Sequence, residues 1–311
     1  MEFTQMTESV LECHRANKAE QQVAFANVYE FWGNDLPLDK YVQWRLQSLH
    51  HLRATWYVGV LEGQVAASLG VFPMSLSLDG TLEKTMFIGA VHTHPDFRRR
   101  GFAAELLYFA EQDQAQEDVR WSFLFSDIDP QYYARLGYVV NDAPNVCIKP
   151  GATTGFEVEL FNPADAVEKM QHFYDVNQQD RTCSLFRTLD YWNFLAQKHR
   201  QDTYLWLIEQ GECCGYLHLR CKDDLACLED FAVVSHTPEQ LRRVAGSVSL
   251  YAESQGIGEV HGWFPPISTE QPWLEINDRQ TEITMWKSLT EKQLTTEQQR
   301  ELAYFRHVDH V

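Results

Sequence analysis

The chain has 311 residues, enough for two domains of about 150 each, and is 44% hydrophobic and 23% charged with a formal charge of −18. That negative field repels phosphate backbones and argues against a nucleic-acid partner. No apolar run reaches the length of about 18 residues needed to span a membrane, and the polar, acidic N-terminus (Met1 to Cys13) lacks the cationic start and apolar stretch of a signal peptide, so the cytoplasm is expected.

In chain order, the first clear element is a hairpin. Trp56–Leu61 and Gln64–Val71 alternate in β-rich residues around a Glu62-Gly63 turn. Thr85–Thr93 reads as a further strand, which runs through His94-Pro95 into Arg98-Arg-Arg-Gly-Phe-Ala103. Beyond Gly101 the apolar positions Ala103, Leu106, Leu107 and Ala110 have helical spacing with one buried face. The arginines and Gly101 therefore sit where a strand hands over to a helix N-terminus. Such a turn offers unpaired N–H groups and the positive end of the helix dipole, which suit a pyrophosphate. Taken alone, three arginines could equally be a solvated basic turn. Trp121–Phe125 is the next strand, followed by Tyr132-Tyr-Ala-Arg-Leu-Gly-Tyr138.

The second half echoes the first in the same order, at an offset of about 143 to 148 residues. A hairpin recurs at Tyr204–Ile208 and Cys213–Leu219, and Val234-Ser-His-Thr-Pro238 loosely matches Val91-His-Thr-His-Pro95. Arg242-Arg243 then stand where Arg99-Arg100 do, with Val244 in place of Gly101. Two copies of one fold are expected, 1–150 and 151–311, divided near Lys149-Pro150-Gly151. From Thr290 the chain reads as a polar helical tail. The seven cysteines form no CxxC pair with histidine spacing, so reduced thiols and no metal site are expected.

Arg98-x-x-Gly101-x-Ala103 after a strand ending in Thr-His-Pro resembles the coenzyme-A signature of GCN5-related N-acetyltransferases (the GNAT superfamily). Tyr133, Gly137 and Tyr138 match that family's Tyr-x-x-x-Gly-(Phe/Tyr). The tandem arrangement resembles the enhanced-intracellular-survival type of acetyltransferase without its third domain. The resemblance implies an α/β (α+β) fold of two GNAT-like domains with mixed, mostly antiparallel sheets flanked by helices, the second copy degenerate. It implies acetyl-CoA as cosubstrate, with Val91 and Thr93 pairing the pantetheine arm and Arg98, Arg99, Arg100, Gly101, Phe102 and Ala103 holding the pyrophosphate. Tyr133 would protonate the departing thiolate. Transfer is direct, in a ternary complex, to an amine of a small cationic molecule or a lysine side chain, and a homo-oligomer is allowed. In those relatives the terminal carboxylate acts as base, a part that would fall to Val311. Glu30, His92, His94, Asp127 and Asp129 are candidate bases by location. The competing class is a non-catalytic acetyl-CoA-binding module, regulatory or structural.

Overall fold

A computed structural model describes residues 10–33, 36–268 and 271–311, so most of the polar N-terminal segment lies outside the described residues. The chain begins with β1 (Glu12–Arg15) and the helices α1 (Lys18–Asn27), α2 (Tyr29–Trp32), α3 (Leu38–Gln47) and α4 (Leu49–Leu52). A meander follows, β2 (Thr55–Leu61), β3 (Gln64–Leu78) and β4 (Thr81–Thr93), and then α5 (Phe102–Ala115), β5 (Trp121–Ser126), α6 (Gln131–Ala134) and β6 (Val139–Val140). The chain continues with β7 (Pro144–Ile148), β8 (Glu157–Leu160), α7 (Val167–Gln178), β9 (Cys183–Phe186), α8 (Leu189–Lys198), β10 (Thr203–Glu209), β11 (Glu212–Lys222) and β12 (Leu225–Val233). It ends with α9 (Pro238–Gln255), β13 (Glu259–Trp263), β14 (Leu274–Asp278), β15 (Ile283–Ser288) and α10 (Thr296–Glu301).

Two mixed sheets result. One runs β1-β2-β3-β4-β5-β15-β6, with β9 paired to the far end of β3; the other runs β14-β7-β13-β12-β11-β10-β8. Both expected hairpins are present, turning at Glu62-Gly63 and Gln210-Gly211, whose left-handed φ values (51° and 78°, then 53° and 82°) match the twist of paired strands. Each sheet contains one parallel pair, β4 with β5 and β12 with β13, and is otherwise antiparallel.

The two halves trade strands across the boundary expected near 149–151. β7, from the first half, pairs with β13 and β14. β15, from the second, inserts between β5 and β6. This exchange welds the sheets through an apolar layer in which Phe87, Trp121, Phe123 and Trp286 meet Cys183, Trp263, Leu302 and Phe305. α5 covers the other face of the first sheet as its periodicity requires. Leu106, Leu107 and Ala110 pack against Leu69, Val71 and Ile88, and each large aliphatic side chain so buried contributes roughly 1.5–3 kcal/mol.

Two expectations need correction. The C-terminal segment is not a polar helix. Only Thr296–Glu301 is α-helical, and Leu302, Phe305, Arg306, Val308 and Asp309 beyond it are buried between the halves. In the second half, Arg242 and Arg243 do not flank a helix start. α9 begins earlier, at Pro238, capped by Thr237 whose Oγ1 accepts from the Gln240 N–H, so both arginines lie within it and Val244 is fully buried. The strong Thr-Pro start outweighed the loose match of the arginine pairs.

Candidate active site

β4 and β5 are in register from Thr85 with Trp121 to Ile88 with Leu124 and then separate. The separation follows from a bulge. On the β3 side the register slips between Ser68–His92 and Gly70–Gly89, and Ala90 takes a φ of 52°, a conformation unusual for a residue with a side chain. Past the bulge, His92 and Thr93 pair with Ser68 and Ala67 of β3, while Val91 has no partner in β3 and none of the three pairs with β5. Into that separation widens a cavity of about 1070 Å³.

Val91 and Thr93 line this cavity on one side, and Arg98, Arg99, Gly101, Phe102 and Ala103 line one end. Gly101 has a φ of 84°, and a Cβ there would meet nothing within 4 Å. Glycine is needed for the left-handed backbone, and the space above it is free. α5 starts at the next residue, so its first-turn N–H groups have no helical partner and border that space. The Arg98 Nε donates to the Thr93 carbonyl at 3.1 Å, tying the turn to the end of β4. Arg100 departs from the group: its guanidinium lies 4.7 Å over the Phe102 ring, and it does not line the cavity.

Tyr133 comes in from α6, 7% exposed, and burial pushes its hydroxyl well above the ordinary tyrosine range. It is thus protonated at neutral pH, and among the described residues its hydroxyl has no hydrogen-bond partner, while it lines the cavity. Tyr138 is different. Its hydroxyl shares a bond with Ser122 and donates to Glu111, which Lys287 also pairs, so it serves the core. Of the five candidate bases, His92 and Asp127 line the cavity. Glu30 is exposed, His94 accepts from the Asp96 N–H, and Asp129 caps α6 through the Gln131 N–H. His92 is buried with both ring nitrogens unpartnered, and burial, with the charge of Arg98, lowers it to about 4.

Of the rest of the wall, only Val311 was expected near the reacting groups, through the family resemblance. Phe31, Trp32, Trp44, Arg45, His50 and His51 come from α2 to α4, and His310 and Val311 from the C-terminal segment. Val311 approaches closely: a Cβ on Gly89 would stand 3.0 Å from its carbonyl carbon and oxygen. The aromatic density between Phe31 and Trp56 was the available signal, but aromatic residues at helical spacing more often denote core.

In the second sheet, the corresponding parting of β12 from β13 follows Leu228 and Gly262. There the chain's own end is seated: the Arg306 Nε donates to the Phe231 carbonyl, and His307 pairs Glu229. Cys227, Glu229 and His307 lie close enough to share an ion, as do Cys147, Glu259 and His261. All seven cysteines are free.

A bulged strand thus parts from its parallel neighbour beside a left-handed glycine turn. The family model for the acetyltransferase (GNAT) domain matches residues 12–140, and this segment is such a domain. No curated protein matches the chain. Among solved structures, a probable N-acyltransferase from Enterococcus faecalis superposes with a TM-score of 0.71 at 16% identity, covering 90% of this chain and 73% of that one. The Eis-type protein of Mycobacterium abscessus gives 0.58 at 15% identity, covering 90% and 74%. A tandem GNAT protein from the clavulanic acid biosynthesis pathway gives 0.51 at 12% identity, covering 91% and 100%. At such identities the likeness is one of fold, and that fold is two GNAT-like domains in tandem. No helix among the described residues is long and apolar enough to cross a membrane.

Proposed function

We propose that the chain transfers an acetyl group from acetyl-CoA to the primary amine of a small molecule or lysine side chain, by direct attack in a ternary complex. One observation carries this reading: the cavity that opens where β4 leaves β5 is bordered by the Gly101 turn and by the free hydroxyl of Tyr133. The pyrophosphate lies against the α5 N-terminus and the arginines, and the pantetheine amides pair with the open edge of Val91 and Thr93. The amine, after losing a proton to His92 or Asp127 through water, attacks the thioester carbonyl carbon. The C–S bond breaks as the C–N bond forms, the Tyr133 hydroxyl protonates the departing thiolate, and the proton that the new amide nitrogen gives up returns to the Tyr133 oxygen through water. The tail seated along β12 supports a coenzyme site in the first domain alone.

Incubation with acetyl-CoA and a panel of amines, read by release of the CoA thiol, tests the reading, and calorimetry on the intact chain tests the stoichiometry. One coenzyme per chain and amine-dependent thiol release are expected. Binding without turnover of any amine would make the protein a coenzyme-binding module instead, and a stoichiometry near two would overturn the assignment to one domain.

A further inference from the structure

Five arginines are buried among the described residues. Arg187 is held by Asp230 and Asp309, Arg181 by Glu301, and Arg306 by Asp230 and two carbonyls. Arg279 is held by the Ala143 and Glu282 carbonyls and the Thr284 hydroxyl. Arg45, only 4% exposed, has neither a carboxylate nor a carbonyl partner among the described residues. Its one hydrogen-bond partner is the Tyr41 hydroxyl, one turn back on α3, and its buried Nε has none. The guanidinium sits among the rings of Phe25, Tyr41, Trp32 and Trp56, with centroids 4.8, 5.5, 5.6 and 5.8 Å away.

A permanently charged group taken out of water without a counter-ion is costly, and aromatic faces offset only part of that cost. Arg45 lines the large cavity on the wall that α2 to α4 build, a wall whose Phe31 ring lies 5.9 Å from the Arg98 guanidinium. Asp127 and the Val311 terminal carboxylate also line the cavity, but neither forms an ion pair with Arg45, and its neighbours on α2 to α4 supply no anion among the described residues. Trp32, Trp44 and Phe72 are apolar, and His50 and His51 are kept uncharged by burial. Planar guanidinium geometry matches a carboxylate through two parallel hydrogen bonds, and the unpartnered Nε is one of the donors such a pair uses.

Building on the acetyltransfer reading, we propose that Arg45 receives a carboxylate of the acceptor. The substrate is then an amine that carries both a carboxylate and a ring-sized apolar group, the chemistry of a free aromatic or large aliphatic amino acid. The chain's charge of −18 suggested a cationic acceptor, but the recognition elements on this wall are one buried cation and aromatic surface. The product is the N-acetylated acid, formed by the same bond changes as above, with the Arg45 charge conserved throughout.

The test compares phenylalanine, phenylalaninamide and phenethylamine at saturating acetyl-CoA. The acid should exceed the other two in kcat/KM by at least about tenfold, since a site built around a polar partner rejects analogues that lack it. Arg45→Gln should erase that preference, lowering turnover of the acid while sparing the amide and the affinity for acetyl-CoA. Arg45→Lys, which keeps a cation in the aromatic cage, should retain part of the preference even if the glutamine variant folds poorly. Amide turned over as well as acid, or an Arg45→Gln effect that falls on acetyl-CoA affinity, would overturn the proposal. If other amines are acetylated and these three are not, this inference fails while the acetyltransferase reading stands. If no amine is acetylated, calorimetry of phenylalanine on the CoA-loaded protein decides: Arg45-dependent binding upholds the carboxylate site, and no binding removes it.

Discussion

Arg187 grips Asp309 with two parallel hydrogen bonds, Nε to Oδ1 at 3.1 Å and Nη2 to Oδ2 at 2.6 Å. Its remaining arm reaches Asp230 of β12 at 2.6 Å, and all three groups are buried. Asp309 is followed directly by His310 and Val311, which line the cavity of the first domain. The pair therefore fixes a wall of one domain's site through residues of the other. Arg187→Met leaves buried Asp309 without its cation and Asp230 with only Arg306, 3.7 Å away, and breaking a buried pair typically costs about 3–5 kcal/mol. A lowered melting temperature and faster proteolytic cleavage near the C-terminus are expected. A variant with unchanged melting and an equally protected tail would show that the network does not anchor it.

Gly101→Glu should weaken acetyl-CoA binding by at least about tenfold, a change of roughly 1.4 kcal/mol or more. The new side chain forces a left-handed backbone on a residue that disfavours it and places an anion in the space above the turn, where a Cβ alone meets nothing. Because that space is open, the fold should survive, as circular dichroism would show. Calorimetric titration checks the affinity, and wild-type affinity in a folded variant would remove the pyrophosphate from this turn.

Tyr133→Phe keeps the packing against Tyr132 and Tyr138 and deletes only the hydroxyl. If that hydroxyl protonates the thiolate, kcat should fall by about 10²–10⁴-fold with little change in coenzyme affinity. Steady-state kinetics and a parallel binding measurement separate the two effects. Full activity would pass the role to solvent or to Tyr132, which also lines the cavity.

Acid should destabilise the protein over a defined window. Burial holds His50, His51 and His92 down at about 2, 3 and 4 in the folded chain, against an ordinary value of 6.5. Below pH 6.5 the unfolded chain binds protons at these positions that the folded chain does not. Stability present above that pH is therefore lost progressively toward pH 4. Melting temperatures measured from pH 7 to 4 should fall, and His51→Phe, which keeps a ring beside Trp56, should make the decline shallower. An identical slope in that variant would place the proton uptake elsewhere.

Local chemistry made the first domain's framework legible in the sequence. Alternating β-rich runs around Glu62-Gly63 and Gln210-Gly211, the helical spacing behind Gly101, and the Tyr133–Tyr138 segment each have a cause confined to a few neighbouring residues, and each element formed where that cause acts. The strand exchange had no such local mark. β7 and β15 are short runs that would suit either sheet, and pairing across the boundary is chosen by the apolar layer that Trp121, Trp263 and Trp286 complete. The same holds for the wall of the cavity. Arg45 carries no local mark in the sequence, and His310-Val311 reads as the end of a polar tail, Val311 being singled out only through the family resemblance. Their positions depend on what covers them, namely the rings around α3 and the buried Arg187–Asp309 pair, contacts between residues far apart in the chain. Turn and helix propensities act over a few residues, so they could be read in order, whereas the desolvation that sets Arg45 and the tail apart exists only once distant segments have packed.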